Sequence, residues 1–299
     1  MPTWTRRRWI AAGLAAASMG ADEPKSDLDA VRDRAQAAGL GPLRSPAPTM
    51  RYQAIGDAPI AFQRSALGLC EALAKDYLAH FKAKGFAVEP PKSRLTVVSL
   101  ADPRAYAAFL GVEVEARVGG SYDLESNRLV IFDNRAGDRP DAERSNTIAL
   151  MHEATHQLTF NTGLLDRAAE IPLCISEGLA TYGEVRRPGG KAKVGDTNSE
   201  RWQVLRNDKV GLWPCSKLIE DDSLLSGDRA QEAYAQSWLL VHILMKTADF
   251  PAKFRSYLQM LAKSRSPATR LKDAVDRLGD TKELDAECAR SLLTLGPRR

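Results

Sequence analysis

Several features that would assign this chain to a functional class are missing from its 299 residues. No two cysteines have the CxxC spacing, which excludes a cysteine-based zinc site of that type. No internal repeat and no low-complexity tract is visible, and 44% apolar with 27% charged residues is an ordinary globular balance. A chain of this length can form one large domain or two lobes that share a cleft.

The N-terminal segment lacks an apolar run long enough to span a bilayer, since its run extends only from Trp9 to Ala17. Arginines precede the run and small residues follow it, which predicts a cleaved export signal over residues 1–21. The sequence TRRRWI resembles a twin-arginine signal, but in a general secretory signal the same arginines would only form the positively charged start. Either signal predicts a periplasmic or extracellular protein without membrane attachment after cleavage.

A strong positive charge is also missing from the predicted mature chain. The formal net charge of the whole sequence is +4, and it falls to +1 when the signal is removed, because residues 1–20 contain three arginines and no acidic residue. No basic stripe alternates with aromatic residues. The sequence therefore predicts no nucleic-acid partner.

The chain contains four cysteines, at positions 70, 174, 215 and 288. An even number in an exported protein favours two disulfides, and three pairings are possible. We predict the pairs Cys174–Cys215 and Cys70–Cys288. The alternative is that all four are buried free thiols.

Strand patterns occupy the first half of the chain and helical patterns the second. Residues 22–60 predict a short helix and an irregular lead-in, and residues 61–299 a single domain. Its α/β part covers about 61–163, with a helix, a strand at RLTVVSL and two strands around a turn in GGSYDLESNRLVIFD. Its part from about 164 to 299 is helical, interrupted over 187–222 by a long loop with some local structure. This order predicts an α+β fold with a small sheet packed against a helical C-terminal lobe.

The segment ALMHEATHQLTF, residues 149–160, contains two of the four histidines of the chain. On a helix, His152 and His156 lie one turn apart and about 40° apart around the axis, so both imidazoles can reach one ion. Glu153 points away from that ion and can accept a proton from a water bound to it. The pattern HExxH thus predicts two zinc ligands and a general base. The alternative is a pair of helical histidines in a polar setting.

A third ligand is predicted in the downstream segment IPLCISEGLATYGEV. Pro172 suits the start of a helix, and Glu177 then lies among the apolar residues Ile175, Leu179 and Ala180. A carboxylate in such surroundings is costly unless it is paired or binds a metal. We therefore predict Glu177 as the third ligand. A glutamate on the helix surface, the alternative, would have polar neighbours.

Two motifs carry a resemblance to a known family. HEATHQ at 152–157 and SEGLATYGE at 176–184 resemble the paired zinc motifs of gluzincin metallopeptidases, the group that contains thermolysin and the zinc aminopeptidases. The second motif is similar to the aminopeptidase form. Over about residues 119–261 the chain also resembles exported bacterial proteins with a peptidase MA-like domain. The resemblance implies a zincin-like lobe that contains a small mixed sheet and the active-site helix.

The resemblance also implies roles for single residues. One zinc ion would bind to His152, His156 and Glu177, and Glu153 would be the general base. Tyr234 corresponds to the tyrosine that stabilises the oxyanion in zinc aminopeptidases.

Alternatives remain open for several of the implied positions. Tyr234 and Trp238 could be packing residues on one helix face, and His242 could be the oxyanion donor instead or a hydrogen-bonded core histidine. Glu184 could accept a hydrogen bond from a zinc-bound histidine, and Asp166 is a further candidate with less support.

GGSYD, residues 119–123, matches the strand that runs over the cleft in this family. The backbone edge at Gly119, Gly120 and Ser121 could pair with an extended peptide. Two departures from the family pattern are visible. The spacing from the second histidine to Glu177 is slightly longer, and no GxMEN segment, which recognises a free N-terminus in aminopeptidases, precedes the zinc helix. We therefore expect an endopeptidase.

These features predict a zinc-dependent metallopeptidase that acts on a peptide or protein substrate, with a zinc-bound water activated by Glu153. The alternative from another class is a catalytically silent exported binding or scaffold protein that retains the zinc site. A structural zinc would take four protein ligands and has no use for a base, which favours the enzyme. Zinc-dependent hydrolysis of a non-peptide amide or ester remains a third interpretation.

Overall fold

The structure, a computed structural model, describes residues 26–113, 119–137, 141–185, 190–207, 211–247 and 249–295. The predicted export signal over 1–21 lies outside these residues. None of the helices in these ranges combines the length and the apolar composition needed to cross a membrane.

A four-stranded mixed sheet forms the β part of the fold, in the order β1-β2-β4-β3. Strands β1 and β2 are parallel, β2 and β4 are parallel, and β3 is an edge strand antiparallel to β4. Residues of β2 and β4 alternate between two apolar clusters, so both faces of the sheet are buried. The strands are β1 Tyr52–Ile55, β2 Leu95–Leu100, β3 Gly120–Asp123 and β4 Arg128–Phe132.

Helices cover both faces of the sheet and form most of the remaining secondary structure in the described residues. Together with the mixed sheet they confirm the predicted α+β fold with a helical C-terminal part. The helices are α1 Asp27–Ala37, α2 Ile60–Ala83, α3 Pro103–Leu110, α4 Ala142–Asn161, α5 Leu173–Gly183, α6 Ser199–Asn207, α7 Cys215–Glu220, α8 Ala230–Lys246, α9 Phe250–Leu261, α10 Arg270–Leu278 and α11 Thr281–Thr294.

The turn between β3 and β4 contains Asn127, the only non-glycine residue with a positive φ (59°) in the described parts of the chain. Asparagine tolerates this left-handed conformation better than most residues. The carbonyl oxygen of Asn127 accepts a hydrogen bond from the buried side chain of Gln157 at 3.0 Å. The hairpin is thereby fixed to helix α4, and β3 lies along that helix.

Helix α4 is the central element of the fold. It contacts β3 and β4 on one side and α2 and α5 on the other. Consequently its buried residues are not restricted to one stripe: Leu150, Ala154 and Leu158 belong to the main core, and His152 and His156, which point to another side of the helix, are buried as well. A helix surrounded in this way holds its side chains rigidly, which suits a site built on it.

Two glycines allow α5 to approach its neighbours closely. A Cβ atom on Gly178 would lie 2.5 Å from the carbonyl oxygen of Ser237 on α8. A Cβ atom on Gly183 would lie 2.2 Å from the hydroxyl of Thr155 on α4. Because both contacts leave no space for a side chain, α5 is held between α4 and α8.

The predicted disulfide pairs are wrong in this structure. All four cysteines lie in described ranges, and each is a buried free thiol. Cys215 was predicted to pair with Cys174. It lies beside Cys288 instead, with 3.9 Å between the two sulfur atoms. The reason is that α7 and α11 pack against each other, a long-range contact that cysteine spacing does not reveal.

Candidate metal centre

The three predicted ligands meet between α4 and α5. The Nε2 atoms of His152 and His156 lie 3.0 Å and 3.3 Å from Oε2 of Glu177. One ligand atom from each of the three residues lies within 4.8 Å of the other two, and both histidines are buried. This group could hold a metal ion.

The outer nitrogen of each imidazole is engaged elsewhere. His152 Nδ1 lies 3.0 Å from Oε2 of Glu184, and His156 Nδ1 lies 3.3 Å from the hydroxyl of Ser176. Hydrogen bonds of this kind fix the orientation of a metal-binding histidine and the nitrogen that carries its proton. Two Nε2 atoms and a carboxylate oxygen then face one point, and this donor set fits zinc.

The charges of this group depend on one another. Burial opposes a proton on His152, but hydrogen bonds to Glu177 and Glu184 raise its pKa to about 10. Burial would raise the pKa of Glu177, but the neighbouring charge of His156 and the hydrogen bonds from both histidines hold it well below its usual range. The carboxylate of Glu177 therefore stays ionised, as a metal ligand must.

Glu153 lies beside the three candidate ligands but is not one of them. It lines the same cavity, and its Oε2 accepts a hydrogen bond from the backbone N–H of Tyr122 on β3 at 2.8 Å. Burial raises the pKa of the Glu153 carboxyl above its ordinary value, an effect that the two histidines partly oppose. A carboxylate with a raised pKa next to a metal centre is suited to accept a proton.

Among the described residues, three side chains form hydrogen bonds with the Glu184 carboxylate. Its Oε2 faces His152 and accepts from Nη2 of Arg201 at 3.2 Å. Its Oε1 accepts from Nε of Arg201 and from Nδ2 of Asn198, both at 2.8 Å. Glu184 and Arg201 are 3% and 4% exposed, so this ion pair is shielded from water. Burial would raise the pKa of Glu184, but Arg201 and His152 lower it to about 2.

Part of the chain matches a known family. Residues 146–268 match the model of a family described as a protein of unknown function (DUF1570). The match begins within α4 and contains the candidate ligands His152, His156 and Glu177, and also Glu153, Glu184 and Arg201. A comparison with curated proteins found no match.

Tyr234 faces the cavity from α8. Its ring centroid lies 6.3 Å from that of His152, and the guanidinium carbon of Arg201 lies 5.9 Å from its ring centroid. Burial raises the pKa of Tyr234 well above its ordinary value, so the hydroxyl keeps its proton. The phenol can therefore donate a hydrogen bond within the cavity.

Two of the alternative positions lie away from the cavity. His242 is 3% exposed and packs against Trp238 and Tyr182, with ring centroids 5.2 Å and 6.1 Å away. It is a core histidine, whose Nδ1 has no hydrogen-bond partner among the described residues. Asp166 accepts from the backbone of Ala168 and is half exposed, so Glu184 and not Asp166 contacts a ligand histidine.

The cavity at this centre has a volume of about 450 Å³ and opens to solvent. Ser121 and Tyr122 of β3 form one side, and the Ser121 hydroxyl has no partner among the described residues. Gly119, also predicted to bind substrate, packs on α4, where a Cβ atom would lie 2.5 Å from that of Ala149. A Cβ atom on Gly120 would lie 3.0 Å from the carbonyl oxygen of Val130 and 3.6 Å from Cγ of Glu153.

Sequence patterns did not predict Arg201 and Asn198. Both lie within 187–222, which was predicted to be a long loop, and Arg201 is on helix α6. Their contact with Glu184 depends on tertiary packing, because no fixed spacing relates them to the histidines. The one available signal is that Glu184 needs partners if it is buried beside a ligand histidine.

Proposed function

We propose that this protein is a zinc-dependent peptide hydrolase. The observation that carries the proposal is the juxtaposition of two imidazole nitrogens and one carboxylate oxygen with a second, non-ligating carboxylate at one open cavity. Three protein ligands leave a position for water or substrate, as in catalytic zinc sites. The base at Glu153 would have no purpose in a purely structural site.

His152, His156 and Glu177 would hold the zinc ion. When bound, zinc supplies Lewis acidity, which lowers the pKa of a water molecule to about 7 and polarises a carbonyl group. Glu153 takes up the proton of the attacking water on a carboxylate oxygen, while the Tyr122 N–H holds its Oε2 in place. The same carboxyl group then gives this proton to the leaving nitrogen. Tyr234 donates a hydrogen bond to the negative oxygen that develops.

We further propose that the enzyme cleaves within chains and acts after export. Support for internal cleavage comes from the edge strand β3 beside a cavity that is open to solvent, because an extended peptide can pair with such an edge. The absence of a GxMEN segment from the sequence also supports it. Support for export comes from the arginines and the short apolar run of residues 1–21.

The test combines metal content with hydrolysis. The purified protein is expected to contain close to one zinc per chain and to cleave members of a broad panel of quenched peptides. A chelator should abolish cleavage, and added zinc, but not magnesium, should restore it. A protein that binds zinc but cleaves no peptide would contradict the proposal and favour a binding role. Product analysis with ester and non-peptide amide substrates would separate those hydrolases from a peptidase.

A further inference from the structure

We propose that Arg201 is a positioning residue of the metal centre. This role rests on the proposed zinc site. Arg201 contacts no ligand itself, but it donates from Nε and Nη2 to the two oxygens of Glu184, at 2.8 Å and 3.2 Å. Glu184 in turn contacts His152. Arg201 thus acts on the metal through two intermediate side chains.

The geometry explains why an arginine is needed at this position. A guanidinium group is planar, and its fork of donors matches the two oxygens of a carboxylate, which a lysine ammonium group cannot do. The fork fixes the plane of the Glu184 carboxylate, and this plane determines where Oε2 meets Nδ1 of His152. Nε2 of the same ring then faces Glu177.

The surroundings hold Arg201 itself in place. Its Nη1 donates to Oε1 of Gln231 at 3.4 Å, and its backbone N–H donates to Oδ1 of Asn198 at 3.3 Å. Asn198 also donates to Glu184 and to the carbonyl oxygen of Thr181 on α5. Helix α6 is therefore connected to the outer side of the metal centre, and Asn198, Arg201 and Gln231 lie outside the two zinc motifs.

The experiment measures zinc affinity, by competition with a chromophoric chelator, alongside the urea unfolding of the zinc-free protein. We expect Arg201→Met to weaken zinc binding roughly 10- to 100-fold. Arg201→Lys keeps the charge but loses the fork, so its affinity should also fall, by less than that of Arg201→Met. Asn198→Ala removes one donor to Glu184 and should cause the smallest loss.

A matched control separates positioning from a general loss of stability. Arg51 is partly buried and paired with Glu71 on α2, and neither residue lines the cavity. Arg51→Met should lower the unfolding free energy but leave zinc affinity unchanged. Zinc affinity equal to that of the wild type in Arg201→Lys and Asn198→Ala would overturn the proposal, even if Arg201→Met does not fold.

The outcomes for Arg201 and for hydrolysis can be told apart. If the wild type hydrolyses peptides and the Arg201 variants bind zinc normally, the positioning role is wrong while the proposed function stands. If only the Arg201 variants bind zinc weakly and no form cleaves any peptide, the positioning role stands and the hydrolase is wrong. Failure of the wild type to bind zinc overturns both.

A different observation carries a second proposal, which is independent of zinc. We infer that Cys215 and Cys288 form a disulfide under oxidising conditions. Their sulfur atoms lie 3.9 Å apart, and both side chains are buried in the contact between α7 and α11. Small side-chain rotations bring two sulfurs at this separation to bonding distance. The two thiols would lose two protons and two electrons to a disulfide oxidant such as oxidised glutathione, which is reduced to two thiols.

The test refolds the protein in a buffer of reduced and oxidised glutathione and counts thiols by alkylation in denaturant. The expected result is two labelled cysteines, Cys70 and Cys174, and four after reduction, with one cross-linked peptide that contains Cys215 and Cys288. Cys288→Ser should leave Cys215 labelled. Four free thiols in the refolded wild type, or a cross-link between any other pair, would overturn this inference.

Discussion

At the scale of single residues, Glu153 differs from Glu177 in what its carboxylate contacts. Glu177 faces the ring nitrogens of both histidines, whereas Glu153 accepts a hydrogen bond from the backbone of Tyr122. Both carboxylates line one cavity and both lie within the family match, so position alone does not separate their roles. Their hydrogen-bond partners do separate the roles. Substitution of Glu153 should therefore change hydrolysis, and substitution of Glu177 should change zinc binding.

Glu153→Gln should keep zinc and lose hydrolysis. The amide has nearly the shape of the carboxylate and contributes no ligand atom, but it cannot take up a proton at neutral pH. We expect zinc content equal to that of the wild type and a fall in kcat of at least about 100-fold, the lower range for general base catalysis. Metal analysis and peptide cleavage on the same sample check this. Undiminished turnover would rule out Glu153 as the base.

Tyr234→Phe tests the hydrogen bond to the developing oxyanion. Because the hydroxyl is not a ligand, zinc affinity should be unchanged, while kcat should fall by roughly 100- to 1,000-fold, the usual cost of one such donor. Tyr122→Phe is the matched control, since its ring also lines the cavity but its hydroxyl donates to Asn127 at 2.8 Å. Equal effects of the two variants on kcat would indicate a packing role for Tyr234.

The histidines and Glu153 could be predicted from the sequence because their relation is local, set by the helical repeat. The prediction of Glu177 required one further argument, namely that a carboxylate among apolar neighbours is costly unless it is paired or binds a metal. In the structure Glu177 lies beside both histidines. The remaining contacts of the centre are tertiary. Arg201 reaches Glu184 only because α6 packs against α8, and no sequence pattern describes this contact.

At the scale of elements, the parts of the fold with local sequence signals could be predicted, and the parts without such signals could not. The hairpin β3–β4 has clear turn residues and helix α4 contains the HExxH motif, and both occur where they were predicted. Strand β1 has only four residues and lies in the segment predicted as an irregular lead-in. Helix α6 is short and polar, and helix α7 is short and follows a proline, so both sequences resemble loops.

The packing of α5 against α8 determines where Glu177 lies, and Gly178 tests it. In Gly178→Ala the new methyl group would meet the Ser237 carbonyl oxygen, which is backbone and cannot move aside easily. We expect a loss of about 1–3 kcal/mol in the free energy of unfolding, as for overpacked cores, together with weaker zinc binding. Urea unfolding of the zinc-free protein measures the first effect.

Gly68→Ala provides the matched control for this substitution. Gly68 lies within α2, and a methyl group added there would meet no atom of a neighbouring element within 4 Å. Alanine is the better helix former, so the variant should gain about 0.5–1 kcal/mol and bind zinc normally. If both alanine variants stabilise the protein, α5 and α8 are not in the close contact described.

At the scale of the whole molecule, zinc and folding should be linked. A ligand that binds only the folded chain stabilises it by about 2.7 kcal/mol at a free concentration of 100 times its Kd. The wild type should therefore melt at a higher temperature with zinc than with a chelator. Glu177→Ala should lose most of this difference, because it removes one of the three ligands.

Glu170→Ala is the control for this linkage. Glu170 also lines the cavity but is paired with Arg270 and is not part of the ligand group. The variant could lower the melting temperature of the zinc-free protein, while the increment produced by zinc should equal that of the wild type. An increment that disappears in Glu170→Ala and persists in Glu177→Ala would contradict the assignment of ligands.

Acid should destabilise the folded protein partly through His242, which lies in the core away from the metal ligands. Burial, with the charge of Lys246, lowers the pKa of His242 from 6.5 to about 4. The unfolded chain therefore binds a proton below about pH 6.5, and the folded chain does so only near pH 4, so the unfolding free energy falls as the pH decreases between these values.

A variant without this proton isolates the contribution of His242. His242→Phe should change the unfolding free energy by a constant amount above pH 7, through packing. Relative to the wild type it should gain stability on the order of 3 kcal/mol between pH 6.5 and pH 4, since one pKa unit corresponds to about 1.4 kcal/mol. Urea unfolding in the presence of a chelator, at several pH values, measures this without interference from zinc. Parallel curves for the two proteins would mean that His242 takes up its proton as readily in the folded chain as in the unfolded one.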